Sequence, residues 1–186
     1  MKAEDSSPIY FWREYGEIYG YLSQWYHSPF HTDNDSTIVY QTAEQYMMHQ
    51  KAILFSDHEI AAQILKTTVP KEQKALGRRV SNFNQEVWEA NRERIVEEGS
   101  YFKFKYGEDE GEGKDDGTSL REKLLGTGDR EIVEASPMDR IWGVGFGAKN
   151  AGSRRKDWGL NLLGKALVRA RERLRAEQAE MDQHKS

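Results

Sequence analysis

Tyr40-Gln41-Thr42-Ala43-Glu44-Gln45-Tyr46-Met47-Met48-His49-Gln50-Lys51 is the stretch on which the reading of this chain turns. Thr42 and Gln45 have capping-box spacing, in which the hydroxyl takes an amide proton of the first turn and the glutamine reaches back. The spacing predicts a helix from Thr42 to about Phe55. Seven helical residues make two turns less about 20°, so Glu44 and Lys51 share one face, about 10 Å apart along the axis, with Met48 between them. On spacing alone the pair fits a solvated helix face. Tyr40, Tyr46 and Met47 point instead to a partly buried helix, where unpaired charge is costly. In the first turn the helix dipole favours an ionised Glu44. A carboxylate that stays negative is what an oxocarbenium-like transition state needs beside it.

Upstream, the apolar-aromatic run Ile9 to Trp12 reads as a short strand and the β-branched Thr37-Ile38-Val39-Tyr40 as a second one. Downstream, Ser56 or Asp57 caps a helix carrying Ile60, Ile64 and Leu65, and Pro70 opens a short helix ending near Gly77. A longer helix is expected over Asn84 to Phe104, with Gly99 as a point of interruption. Gly107 to Gly117 reads GEDEGEGKDDG and has no apolar side chain with which to offset its ordering entropy. It is expected to be mobile, and its oxygens do not follow the spacing of a calcium loop. Thr118 or Ser119 caps a helix through Leu124 and Leu125, and Glu131 to Ala135 alternates like a strand. The last helix is expected over Asp157 to Met181, burying Leu160, Leu163, Leu167 and Leu174. The fold class is α+β, a helix-rich single domain around a small β-sheet. The domain is expected over 9–176, with a disordered lead-in over 1–8, a flexible acidic insertion over 106–118 and a frayed tail over 177–186.

The 186 residues carry a net charge of -4, unlike a constitutive nucleic-acid scaffold, which would usually be basic. Without cysteine there are no disulfides or thiolate metal sites. The start has no apolar signal region, and no apolar run approaches the roughly 20 residues of a membrane span. A soluble cytoplasmic protein is expected, with the nucleus left open. No HExxH or GxSxG pattern occurs, and Pro29 between His27 and His31 spoils a helical metal face. Neither a metal nor a cofactor is expected.

Five Trp, nine Tyr and seven Phe supply core, and also what a pocket for a flat heterocycle needs. Gly143 to Gly152 is dense in glycine and includes Lys149 and Asn150, which suits either a phosphate cradle or a plain loop; it lacks the ending of a P-loop. Asp139, three before Trp142, suits either a base clamp or a core tryptophan beside a solvated acid. Gly77-Arg78-Arg79 suits phosphate binding or a plain helix end.

Taken together and in order, these segments resemble the NADAR family, also described as YbiA-like, from about Ile9 to Leu174. The match runs through Phe11-Trp12, Gly20-Tyr21-Leu22-Ser23-Gln24-Trp25, the Glu44 to Lys51 helix, Gly77-Arg78, Trp88, Leu124 to Gly128, Glu131 to Glu134, Asp139, Trp142-Gly143 and Asn161 to Leu167. Gln24-Trp25 stands where many members have Asn-Phe, which bears on substrate size, and short bacterial members lack the acidic insertion.

The resemblance implies N-glycosidic hydrolysis of a small nucleotide-like substrate. Either a riboflavin-pathway intermediate bearing ribose 5-phosphate or ADP-ribose attached to guanine, including guanine within nucleic acid, would serve. It implies Glu44 and Lys51 as the catalytic pair, Glu44 stabilising the sugar cation or acting as acid-base, and Lys51 attacking the opened sugar or binding phosphate. Stacking falls to Trp88, Trp142 or Trp25, base positioning to Asp139, and phosphate to Arg78 and Lys149. Trp12, Ser23, Gln24, Tyr40, Gly77, Gly143 and Asn150 complete the expected substrate contacts. The other class open to these residues is a module that binds NAD or ADP-ribose without cleaving it.

Overall fold

The structure, a computed structural model, describes residues 6–110 and 117–184. Strands β1 (Ile9–Phe11) and β2 (Ile132–Glu134) pair in parallel, with Ile9 opposite Ile132 and Phe11 opposite Glu134. Where a third strand would pair with β2, a single side chain does the work: Asn161 Oδ1 accepts from the Glu134 amide at 3.0 Å and its Nδ2 donates to the Ile132 carbonyl at 3.0 Å. The backbone groups of β2 are thus satisfied without further sheet. Asn161 adopts φ 50°, a left-handed conformation that asparagine tolerates better than most residues.

This contact explains why the last helix, α7, spans Leu162–Gln183 and does not begin at Asp157. Residues Gly152–Asp157 form a 3-10 segment with a non-helical Arg154, and Leu160 is 49% exposed, not buried. A Cβ at Gly164 would collide with the Ile132 carbonyl oxygen, so glycine lets α7 dock directly on β2.

The remaining helices are α1 (Ala43–Leu54), α2 (His58–Lys66), α3 (Pro70–Gly77), α4 (Gln85–Tyr106), α5 (Leu120–Leu125) and the single turn α6 (Ala148–Ala151). Thr42 Oγ1 accepts from Gln45 N at 3.1 Å as the spacing predicts, but Gln45 Oε1 reaches one residue further back, to Gln41 N at 2.6 Å. Gln45 Nε2 then donates to the carbonyls of Ile64 and Thr67, and Thr42 Oγ1 donates to Gln73 Oε1. These buried amides tie the start of α1 to the end of α2 and to α3, satisfying carbonyls the helix leaves open. Asn84 caps α4, which runs unbroken through Gly99 and packs on α1 and α7. A Cβ there would stand 2.6 Å from Tyr46 Cδ1, so Gly99 marks a helix crossing and not an interruption.

The strand expected over Thr37 to Tyr40 is one bridge, Phe30 with Tyr40. Asp35 Oδ1 captures the Thr37 amide at 2.8 Å, which ends the ladder there. The expected lead-in over 1–8, flexible insertion over 106–118 and tail over 177–186 fall in part on residues 1–5, 111–116 and 185–186, outside the described residues. Within the second of these, Tyr106 closes α4, and Asp109 accepts from Tyr26 and pairs with Lys123 Nζ at 2.6 Å. Among the described residues no helix is long and apolar enough to cross a membrane.

Candidate active site

A cavity of about 570 Å³ opens where β1 ends, the Ser23–Trp25 segment, α1, α3 and the chain after β2 meet. Each wall has a local cause. The end of β1 delivers Trp12, whose amide donates to Glu17 Oε2 at 2.9 Å as the chain turns away. The Ser23–Trp25 segment is pinned twice: the Gln24 carbonyl accepts from the Glu44 amide at 3.0 Å, and the carbonyls of Tyr21 and Ser23 both accept from Lys103 Nζ, at 2.6 and 2.8 Å. Lys103, on α4, is buried, with its ammonium also facing the rings of Tyr26 and Phe104. From α1 come Glu44, Met48 and Lys51, one face as the spacing predicts, and Lys74 and Arg78 come from α3. Trp88 stands on α4, Glu134 is the last residue of β2, and Asp139 and Trp142 follow it. Asp139 Oδ1 accepts from the amides of Ile141 and Trp142, both at 2.8 Å, so this carboxylate builds the turn that presents Trp142.

Glu44 is buried, and burial pushes its carboxyl up to about 7. Lys74, a hydrogen bond from the Trp25 side chain and Arg78 pull it back down, while Asp139 opposes them. Desolvation therefore outweighs the helix dipole from which a permanently ionised Glu44 is expected. Glu134 is pushed further, to about 8, by burial and by the charges of Asp139 and Glu44, against the pull of Lys74. Its Oε2 is enclosed and has no hydrogen-bond partner. The Lys51 amine is lowered by burial and by Arg78, with Glu44 acting the other way. Its Nζ lies 4.6 Å from the centre of the Phe83 ring and 5.4 Å from that of Trp88. Among the described residues no three His, Cys, Asp or Glu side chains are grouped to hold a metal ion.

The cavity thus brings together Glu44, Lys51, Trp12, Ser23, Gln24, Trp25, Arg78, Trp88, Asp139 and Trp142. It does not include Tyr40, Gly77, Gly143, Lys149 or Asn150. Tyr40 is core, hydrogen-bonded to His49 Nδ1 at 3.0 Å. Gly77 is where Met48 crosses α3, and a Cβ there would collide with the Met48 sulfur. Gly143 lets the chain pass the Glu134 carbonyl, 2.7 Å from where its Cβ would be. Lys149 and Asn150 are exposed on α6, and the glycine loop spends amides on itself: Asn150 and Ala151 both donate to the Gly147 carbonyl at 2.9 Å.

Glu134 and Lys74 are the residues sequence reasoning missed. Glu134 lay inside a motif read as a strand, and its signal was a charged residue closing an apolar strand just before a turn. Lys74 lies four residues before Arg78, hence on the same helix face.

The chain is matched by the NADAR domain family over residues 10–175. It is 40% identical over 155 residues to an N-glycosidase of Acanthamoeba polyphaga mimivirus, covering 81% of this chain and 85% of that one. An N-glycosidase of Nostoc punctiforme is 34% identical over 167 residues, 90% of this chain and 92% of its own. The NMR structure of the E. coli protein YbiA superposes with a TM-score of 0.68 at 25% identity, covering 96% of this chain and 90% of that one.

Proposed function

This chain belongs to the NADAR family, and we propose that it is an N-glycosidase hydrolysing the bond between a base nitrogen and the anomeric carbon of a ribose that carries a phosphate or an ADP group. The observation that carries this reading is the burial of Glu44 in a cavity walled by Trp12, Trp25, Trp88 and Trp142 and edged by Lys51, Lys74 and Arg78. Flat indole faces suit a heterocycle. The cations suit phosphate oxygens. A carboxylate poised near neutrality suits a sugar whose anomeric carbon becomes positive. The names of the relatives agree with this chemistry, since both are N-glycosidases.

In this reading Glu44 faces the sugar and stabilises its developing charge. Trp25, whose side chain bonds Glu44, and Trp142 flank the base, while Lys74 and Arg78 take the phosphate in place of the distant Lys149. The lowered proton affinity of Lys51 favours a nucleophilic amine directed at the opened sugar. The substrates that fit are a ribosylamino phosphate of riboflavin chemistry and ADP-ribosylated guanine, free or within nucleic acid.

A substrate panel tests this: ribosylated bases bearing 5-phosphate and ADP-ribosylated guanine, free and in an oligonucleotide, incubated with the protein and assayed for free base. Release from at least one member is expected. Calorimetric binding of ADP-ribose with no base released from any member would instead favour a binding module.

A further inference from the structure

Glu134, one of the carboxyl groups lining the cavity beside Glu44, has no part in the reaction as proposed so far. Glu134 closes β2, and its backbone is fixed on two sides: its amide donates to Asn161 Oδ1 at 3.0 Å, and its carbonyl accepts from Val144 N at 3.0 Å. These two bonds fix the point from which the side chain leaves β2. Its carboxyl lines the cavity, with Oε2 enclosed and without a hydrogen-bond partner. Of the buried side-chain atoms without a partner among the described residues, only this one belongs to a residue that lines the cavity. An enclosed carboxyl oxygen without a partner, on a residue that lines a cavity, calls for an explanation, and a proton-transfer role supplies one.

Three charged groups face it from the packed elements: Glu44 from α1, Lys74 from α3 and Asp139 from the turn after β2. Two of the three are carboxylates. Like charges so placed cannot all ionise in a low-dielectric hollow, and the proton settles on the member whose negative form has the fewest supporting groups. Glu44 has Lys74, Arg78 and the Trp25 side chain to support its negative form. Glu134 has only Lys74. The environments therefore divide the two glutamates into a group that ionises first and a group that keeps its proton.

We propose that Glu134 is the general acid that protonates the departing base, while Glu44 serves the sugar as a carboxylate. This assignment rests on the N-glycosidase reading given above. As the bond between the anomeric carbon and the base nitrogen breaks, its electron pair stays on the base and the Glu134 proton joins the base. Water then adds to the anomeric carbon and returns one proton to the Glu134 carboxylate. The sum is one water consumed, with base and free sugar released and the enzyme unchanged. Where Lys51 takes the anomeric carbon first, the water that later releases the imine closes the same proton cycle.

The test is a pair of measurements on the full chain. In protein labelled with ¹³C at the glutamate carboxyl, with Glu134→Gln and Glu44→Gln assigning the signals, Glu134 is expected to remain protonated at pH 7 and to ionise near pH 8. With whichever panel member the wild type cleaves, Glu134→Gln is expected to lose about a hundredfold in kcat, with little change in KM, and to lose the alkaline fall of the wild-type pH profile. A Glu134 signal already ionised at pH 6, or a Glu134→Gln variant that keeps both rate and alkaline fall, overturns the assignment. A wild type that releases no base from any substrate marks a failure of the hydrolase reading and removes the role with it; the carboxyl titration tells that case apart from a Glu134 that simply holds no proton.

Discussion

Lys103 Nζ lies 2.8 Å from the carbonyl oxygen of Ser23, so a buried amine on α4 holds the lip of a cavity that it does not itself enter. The same nitrogen bonds the Tyr21 carbonyl at 2.6 Å. Lys103→Met leaves the Tyr21 carbonyl without this partner, at about 1–3 kcal/mol before the relief of no longer burying a charge, while the Ser23 carbonyl keeps only the Tyr26 amide at 3.2 Å. Because the lip carries Gln24 and Trp25, KM should rise several-fold with a smaller change in kcat. Steady-state kinetics beside a thermal melt check this, and an unchanged KM would detach Lys103 from the site.

Gly99 of α4 faces the Tyr46 ring of α1, with 2.6 Å between Cδ1 and the place a Cβ would occupy. Neither the ring nor the helix backbone can yield cheaply, because Tyr46 is packed among Phe30, Tyr40 and Phe102. Gly99→Ala should therefore destabilise by about 1–3 kcal/mol although alanine is the better helix former. Urea titration gives the number; a neutral or stabilising result would mean that the helices can part freely.

Glu44 titrates near 4.5 when unfolded and about 7 when folded. Between those values the folded chain binds more protons than the unfolded one, so this group's contribution to stability falls as pH rises from about 4.5 to 7 and is flat above. Glu44→Gln removes that loss and should be more stable than wild type at pH 8 by about 1–3 kcal/mol, with the gap shrinking toward pH 5. Melting curves at the two pH values check the sign. A variant less stable at pH 8 would show that the carboxylate is better supported than burial implies.

The helical frame was legible because its signals are local. Thr42 caps its helix as the spacing predicts, Asp57 and Ser119 are the members of their two candidate pairs that do so, and the helix expected from Asn84 is capped by Asn84 itself. The face shared by Glu44 and Lys51 follows from helical geometry alone. What could not be read depends on contacts distant in sequence. Asn161 replaces a strand, which moves the start of α7, and Asp35 intercepts the Thr37 amide, which removes one. Similarly, a glycine-rich run looks the same whether it cradles phosphate or, as at Gly143, merely clears a neighbouring carbonyl. Glu134 escaped notice because nothing on β2 itself says that Asp139 and Glu44 lie near enough to raise its proton affinity.

Burial and the nearby Arg78 both lower the proton affinity of Lys51, which makes its amine a better nucleophile at neutral pH. Borohydride added during turnover should trap a sugar adduct on Lys51, found by peptide mass mapping and absent from Lys51→Arg. If no adduct forms while the wild type turns over, Lys51 holds phosphate instead, and Lys51→Arg should then keep most of its activity.

The most direct test separates binding from bond breaking at one residue. Wild type and Glu44→Gln are each given the panel substrate that the wild type cleaves; affinity is read by calorimetry and products by quantifying free base and reducing sugar. The account predicts base and sugar in equal amounts from the wild type, and from Glu44→Gln comparable binding with base release lowered at least about a hundredfold. Equal product from both proteins, or tight binding by both with no product from either, would contradict it.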